Sequence, residues 1–358
     1  MKRILFLAAA LMLVAMTAGA QEYYFTEGTD LTIVGNLFPD TPNPYHRIDT
    51  VKYKGFTPGE NTQVRETAGM SIAFDTDSPS VKVSIQYGYV NKPNNTMGIA
   101  ARGVDLYIKK DGKWLWAASN EVYSSKEPVE ILGGMVKEMK HCLLYLPLIS
   151  EVYSVKIGVE KGYSIKASEM PFRHRVAIFG SSFTHGISAS RPGMAYPAQF
   201  SRMTGIQLLG LGCSGNCKMQ PYFANALKDV DCDAFIFDSF SNPDIPTIEK
   251  NLFPFIETIQ AAKPGIPLIF QRTIYRERRN FNQAVDKFEG DRQAYVDSVM
   301  NIACKKYKDV YYIRTTNATS KTHETSVDGT HPGDYGYTLW AESLVKPVTR
   351  ILRKYGLK

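Results

Sequence analysis

Two adjacent serines, Ser181 and Ser182, follow the short apolar run "RVAIFG" and precede a plausible helix start. A serine hydroxyl becomes a useful nucleophile only when a base takes its proton and hydrogen-bond donors meet the oxyanion that forms. Near the far end of the chain, "DGTH" offers Asp328 and His331, three residues apart. Within one turn the carboxylate can hold one ring nitrogen while the other faces a hydroxyl, and Pro332 then stiffens the exit. Donors are available from the backbone N–H of Ser182, from a glycine N–H at Gly212 or Gly215 in "GLGCSGNC", and from the Asn242 amide in "DSFSNP". Each motif alone has an ordinary use, as a helix cap, a surface loop or a turn. Their placement at the ends of separate apolar runs is what points to acyl transfer. His185 lies too near Ser182 in sequence to be set opposite it as a base and is read as a rim residue.

In the second half, short apolar runs at 175 to 180, 206 to 212, 234 to 240, 267 to 273 and 310 to 315 alternate with longer amphipathic stretches. Helices are expected near 194 to 203, 217 to 228, 247 to 262, 283 to 307 and 334 to 355, with Pro347 kinking or interrupting the last. Five runs with intervening helices describe a parallel sheet covered on both faces. Ligands of such sheets bind beyond the carboxyl ends of the strands, which would gather the serine, the glycine, the amide and the Asp–His pair on one rim. From about 30 to 168 the pattern is instead period two, as in Val81, Val83, Ile85, then Val104, Leu106, Ile108, then Val155, Ile157, Val159. Such alternation, broken by "TDSPS", "NKPNN" and "KKDGK", predicts a β-sandwich of jelly-roll type. The expected division is 21 to 172 for the sandwich and 173 to 358 for the α/β unit.

The first 20 residues read as a secretory signal peptide cut after Ala20, so a periplasmic or secreted product is expected. No later apolar run approaches the roughly 20 residues that cross a bilayer, so no membrane insertion is expected. The formal charge of +7 becomes about +5 once Lys2 and Arg3 are removed, and it is unclustered, which argues against a nucleic-acid partner. Only "RTIYRERRN" (272 to 280) is locally basic, either as a solvated segment or as an anion-binding patch for a carboxylated or sulfated substrate, with Arg272 as a substrate contact. Six histidines include no H-x-H or H-E-x-x-H, so no metal is expected. Five cysteines are an odd number, leaving at least one free thiol, and Cys213 and Cys217 are close enough to pair. Trp114 and Trp116, two apart on "KWLW", would share one strand face and could stack on a sugar, or else face the core.

"GSSFT" fails the G-x-S-x-G elbow of the α/β-hydrolases at its last position. It resembles block one of the SGNH, or GDSL-type, esterases, whose usual G-D-S-x-T carries Ser181 here in place of Asp. By that resemblance Ser182 is the nucleophile, Gly215 in "CSGN" and Asn242 are oxyanion donors beside the Ser182 N–H, and Asp328 and His331 complete the triad. Phe240 stands where the third block usually has glycine. "ASRPGMAY" (189 to 196) and "GVDLY" (103 to 107) are similar to one branch, which carries a G-x-D-L-Y β domain before the hydrolase. The resemblance implies a three-layer α/β/α, flavodoxin-like catalytic domain around five parallel strands, acting on esters without metal or organic cofactor. The expected function is an exported serine esterase whose substrate is an acylated carbohydrate or small ester, most simply an O-deacetylase of polysaccharides or glycosides. The alternatives are an acylhydrolase of lipids or small acyl conjugates and a catalytically silent carbohydrate-binding protein.

Overall fold

The computed structural model describes residues 21 to 315 and 318 to 357, so the expected leader lies outside the described residues. Ten strands build the first half: β1 (Tyr23–Glu27), β2 (Thr32–Val34), β3 (Ser71–Thr76), β4 (Val81–Val90), β5 (Gly103–Lys110), β6 (Lys113–Glu121), β7 (Val129–Leu132), β8 (Lys140–Tyr145), β9 (Ser150–Glu160) and β10 (Ile165–Ala167). They form two antiparallel sheets, one in the order β1-β9-β4-β7 and one in the order β10-β3-β8-β5-β6 with β2 also on β3. Alternate residues of each strand point to one face, so Val83 and Ile85 of one sheet meet Val104 and Leu106 of the other in a shared core with Val155 and Ile157. The β5–β6 hairpin turns on Asp111 and Gly112, both at positive φ (50° and 76°), the backbone that Asp-Gly supplies most readily. This is the jelly-roll-like sandwich predicted from the alternation.

The second half holds β11 (Arg173–Gly180), β12 (Ile206–Gly212), β13 (Ala234–Asp238), β14 (Leu268–Gln271) and β15 (Val310–Ile313), all parallel, in the order β12-β11-β13-β14-β15. That order reverses direction beside β11, and the crevice at such a switch point is where ligands bind. After two short helices in the first half, α1 (Pro58–Gln63) and α2 (Gly98–Arg102), come α3 (Ser182–His185), α4 (Tyr196–Thr204), α5 (Pro221–Leu227), α6 (Ile245–Ala262), α7 (Gln283–Lys306) and α8 (Asp334–Leu352). α8 runs on through Pro347, so of the two outcomes expected there, a kink or an interruption, the interruption does not occur. Trp340, Ala341 and Leu344 before it and Val348 and Ile351 after it are all buried in one cluster, and that packing outweighs the roughly 3 kcal/mol that an interior proline costs.

The two halves are closely joined. Between β2 and β3 the chain leaves the sandwich, and Leu37, Ile48, Tyr53 and Val64 enter the core of the α/β half beside Phe223 and Leu227. A Cβ on Gly69 would lie 3.0 Å from the Gly210 Cα, so the two backbones touch there. The "GVDLY" and "ASRPGMAY" stretches face each other across this boundary. Buried Asp105 accepts from Arg191 Nη1 (2.7 Å) and the Gly193 N–H (2.9 Å), and Tyr107 Oη lies 2.6 Å from the same Arg191 nitrogen. Burial raises the Asp105 carboxyl above its ordinary value although Arg191 pulls the other way. A charge with that desolvation cost is kept where its partners are fixed, which here means at the domain boundary.

Candidate active site

Ser182 opens α3 at the carboxyl end of β11, the strand beside the switch point, and its flanks explain how it is held there. Ser181 is the N-cap, its Oγ accepting from the Phe183 N–H at 3.2 Å. Gly180 allows the turn to sit down on the strand, since a Cβ there would lie 1.9 Å from Thr184 Oγ1. Beneath the turn, Asp238 at the end of β13 accepts from Ser181 Oγ (2.7 Å), the Ser181 N–H (3.2 Å) and Thr184 Oγ1 (3.1 Å). Burial pushes this carboxyl up to about 6 against those hydrogen bonds. Where the usual block carries its own acid, this chain uses a serine bonded to an acid from the neighbouring strand.

Ser182 Oγ lies 3.0 Å from His331 Nε2, and His331 Nδ1 lies 2.8 Å from Asp328 Oδ2. Asp328 Oδ1 accepts from the N–H groups of His331 (2.7 Å) and Thr330 (2.9 Å). Its Oδ2 also accepts from Asn95 Nδ2 at 2.9 Å. Partial burial raises the Asp328 carboxyl, but these bonds outweigh it and hold the group well below the usual carboxylate range. It is therefore an anion at any working pH, and with Nδ1–H donated to it the imidazole presents Nε2 as an acceptor. The Phe183 ring meets the imidazole edge-on with centroids 5.8 Å apart.

The loop bearing this pair is tied down by the basic stretch before α7. Glu277 accepts from the N–H and Oγ1 of Thr325 (2.7 and 2.5 Å) and from the N–H and Oγ of Ser326 (3.0 and 2.7 Å). The Arg278 N–H donates to Gly329 O at 2.8 Å. The arginines of the stretch are engaged too: Arg272 with Asp297, Arg276 and Arg278 with Glu289, and Arg279 with Asp286. Much of "RTIYRERRN" thus builds and docks structure.

Gly215 and Asn242 line one cavity of about 410 Å³ at the same rim. The Cys217 N–H donates to Asn242 Oδ1 at 3.2 Å, which takes up the carbonyl end of that side chain and turns its NH2 away. Gly215 has φ +73°, a conformation open to glycine, with no atom within 4 Å of where a Cβ would stand. Gly212, the other glycine considered, is packed under α3, where a Cβ would lie 2.2 Å from the His185 N. The Gly215 loop is braced from the first half: Gln63 Nε2 donates to Ser214 O (3.0 Å) and Asn216 Nδ2 donates to Gln63 Oε1 (2.9 Å).

Three predicted substrate contacts lie elsewhere. Arg272 lines a separate cavity with Thr273, Tyr275 and Gln293. Trp114 is half-buried against a cluster holding Tyr107, Tyr145 and Phe172, and it lines a third cavity with Asp75 and His141. Trp116 is 53% exposed, donates from Nε1 to Asp105 Oδ1 (3.0 Å) and lies under the Arg191 guanidinium, so it belongs to the domain boundary. None of these residues lines the cavity with Gly215 and Asn242. His185, expected on the rim, is buried, its Nε2 2.8 Å from Glu66 Oε2 and 2.9 Å from Leu148 O, because the single turn of α3 directs it into the boundary. All five cysteines are free, including Cys213 and Cys217. Among the described residues no group of three or more His, Cys, Asp or Glu is placed to hold a metal ion, and no helix is long and apolar enough to cross a membrane. Sequence reasoning missed Asn95, Gln63 and Glu277; "NKPNN" read only as a turn, and nothing local marks a contact made across the domain boundary.

Residues 173–350 match the model of the GDSL-like lipase/acylhydrolase family, and residues 22–165 match that of the GxDLY domain found at the N-terminus of SGNH-hydrolase-type esterases. A GDSL-like lipase from Bacteroides ovatus is similar over 93% of this chain and 98% of its own, at 36% identity and a TM-score of 0.88. A salicylyl-acyltransferase from a tetracycline biosynthetic pathway shares the fold at 20% identity (TM-score 0.69, 94% and 98% covered). So does a family two carbohydrate esterase from Cellvibrio japonicus at 11% identity (TM-score 0.61, 93% and 99% covered). Comparison with curated proteins gives no match. With its catalytic and N-terminal halves each matching, this chain belongs to the GDSL-like lipase/acylhydrolase family of SGNH-type esterases and is a carboxylic ester hydrolase.

Proposed function

We propose that the protein is an exported serine esterase that removes short acyl groups, acetyl foremost, from carbohydrates or glycosides. The observation that carries the mechanism is the unbroken chain from Ser182 Oγ through His331 to Asp328, at 3.0 and 2.8 Å. Ser182 attacks the ester carbonyl while His331 Nε2 takes its proton; the imidazolium formed is stabilised by Asp328 and returns the proton to the leaving alcohol. Water then attacks the acyl group by the same route, giving its proton to His331, which passes it to Ser182 Oγ as the acyl–oxygen bond breaks and the acid leaves. The Ser182 N–H, the Gly215 N–H and the Asn242 NH2 receive the oxyanion, each such donor contributing roughly 3 kcal/mol to lowering the barrier. Support for a sugar-borne substrate comes from the shared fold of the carbohydrate esterase, and support for export from the first 20 residues of the sequence.

Ser182→Ala tests the assignment on p-nitrophenyl acetate and on an acetylated glycoside. Acetate release should fall by roughly a thousandfold or more, with circular dichroism unchanged. Activity within tenfold of the parent would remove Ser182 from its role.

A further inference from the structure

The cavity that Gly215 and Asn242 share is strongly cationic. Lys218, Arg276, Arg278 and Arg292 line it, against one acid, Asp244, whose carboxylate is occupied in capping α6 through the Thr247 N–H at 3.0 Å. Glu289 answers only part of this charge, because its Oε1 accepts from both Arg276 Nη1 (3.0 Å) and Arg278 Nη2 (2.9 Å). Arg292 is only 4% exposed and makes no ion pair among the described residues. Its Nη1 donates to Ser241 O (3.2 Å), while Nη2 is buried without a hydrogen-bond partner, as is Arg276 Nε. A buried guanidinium with a free N–H is costly unless an acceptor arrives. Burial first, and then the neighbouring Arg276 guanidinium, push Arg292 down to about 10 although Glu289 pulls the other way.

We propose that this cavity binds a carboxylate carried by the substrate, so that the enzyme prefers acyl esters of acidic sugars, such as uronic acids, to those of neutral ones. The inference rests on the esterase reading, and it adds a discriminating group beside the reacting carbonyl. A guanidinium can meet a carboxylate with two parallel N–H donors, and Lys218 adds a mobile charge. A neutral hydroxymethyl in the same place leaves the buried donors unanswered. Such a site rejects the wrong substrate more strongly than an apolar pocket would.

A matched pair tests this: a mono-acetylated methyl galacturonoside and the mono-acetylated methyl galactoside that differs only at the carboxylate. The acidic ester should have kcat/KM higher by about tenfold or more, and Lys218→Gln and Arg278→Gln should each reduce that ratio severalfold. Equal turnover of the two, or a ratio unmoved in both variants, overturns the inference while leaving the esterase intact. If neither ester is cleaved, the esterase reading fails on sugars, and the cavity is still tested by calorimetry on Ser182→Ala with the two unacetylated glycosides. Tighter binding of the galacturonoside, weakened by Arg278→Gln, supports the carboxylate site. Indistinguishable binding of the two sugars overturns it.

Discussion

The nucleophile turn and the acid–base loop meet at one rim but are held there by opposite means. Ser182 is buried just past the end of β11, and the groups around its hydroxyl turn belong to the α/β half: the Ser181 cap, the Gly180 contact and the Asp238 carboxylate beneath, with His185 of the same turn anchored to Glu66 and Leu148 across the boundary. Asp328 and His331 stand on a more exposed loop with no strand under them. They depend on Glu277, on the Arg278 N–H and on Asn95, which comes from the other half of the molecule. The hydroxyl needs an unmoving backbone so that its N–H can meet an oxyanion, whereas the imidazole must only keep one tautomer and one direction. A strand end suits the first and a loop with several side-chain ties suits the second.

Asp328 is where the acid–base loop is most directly disabled. In Asp328→Asn the side-chain NH2 can face Nδ1, which moves the ring proton to Nε2 and removes the acceptor that Ser182 requires. We expect kcat to fall by about a thousandfold or more. A loss below tenfold would mean that orientation by Asp328 is dispensable. Glu277→Gln attacks the same loop from below, since an NH2 would replace one of two acceptor oxygens that together receive four donors. A decrease of about tenfold in kcat and a lower thermal midpoint are expected, because buried donors are left unmet. The Glu277 carboxyl is raised by burial but lowered more by its bonds to Thr325 and Ser326, so it lies below its ordinary value. Its contribution to stability is therefore present above the ordinary glutamate range and is lost as pH falls through it. Denaturation midpoints taken across that acid range should slope less in Glu277→Gln than in the parent; identical slopes would deny Glu277 this role.

Local chemistry explains what could be read from sequence. Ser182, Gly215 and Asn242 follow strands whose apolar runs are unmistakable, and the rule that parallel strands present ligands at their carboxyl ends places them together. Alternation likewise identified Trp114 and Trp116 as neighbours on β6, where they pair with Lys109 and Tyr107. It is silent on what lies over that face, where the Arg191 guanidinium sits on Trp116 while Trp114 lines a cavity with Asp75 and His141. The same blindness hid Asn95 and Gln63, since each acts through a contact with a residue more than 150 positions away. His185 was misplaced for a related reason: a one-turn helix reverses a side chain's direction within a few residues, and no period records it. Pro347 shows propensity yielding to packing, a choice that becomes visible only when the buried face of α8 is seen.

Asn95 provides the finest test of how far the sandwich serves the chemistry. Its Nδ2 supplies one of the donors that keep Asp328 ionised, while its own segment of the sandwich is tied to the α/β half by a separate bond, Thr96 Oγ1 accepting the Ser188 N–H at 3.0 Å, which remains in Asn95→Ala. Removing a single, partly exposed hydrogen bond to a charged group should lower kcat by about threefold, with the thermal midpoint and KM nearly unchanged. A fall confined to kcat would show that the first half acts on the acid–base loop as a positioning element. A shift in the thermal midpoint as large as that of Glu277→Gln would instead make Asn95 a structural tie, and the two halves would then be joined for stability alone.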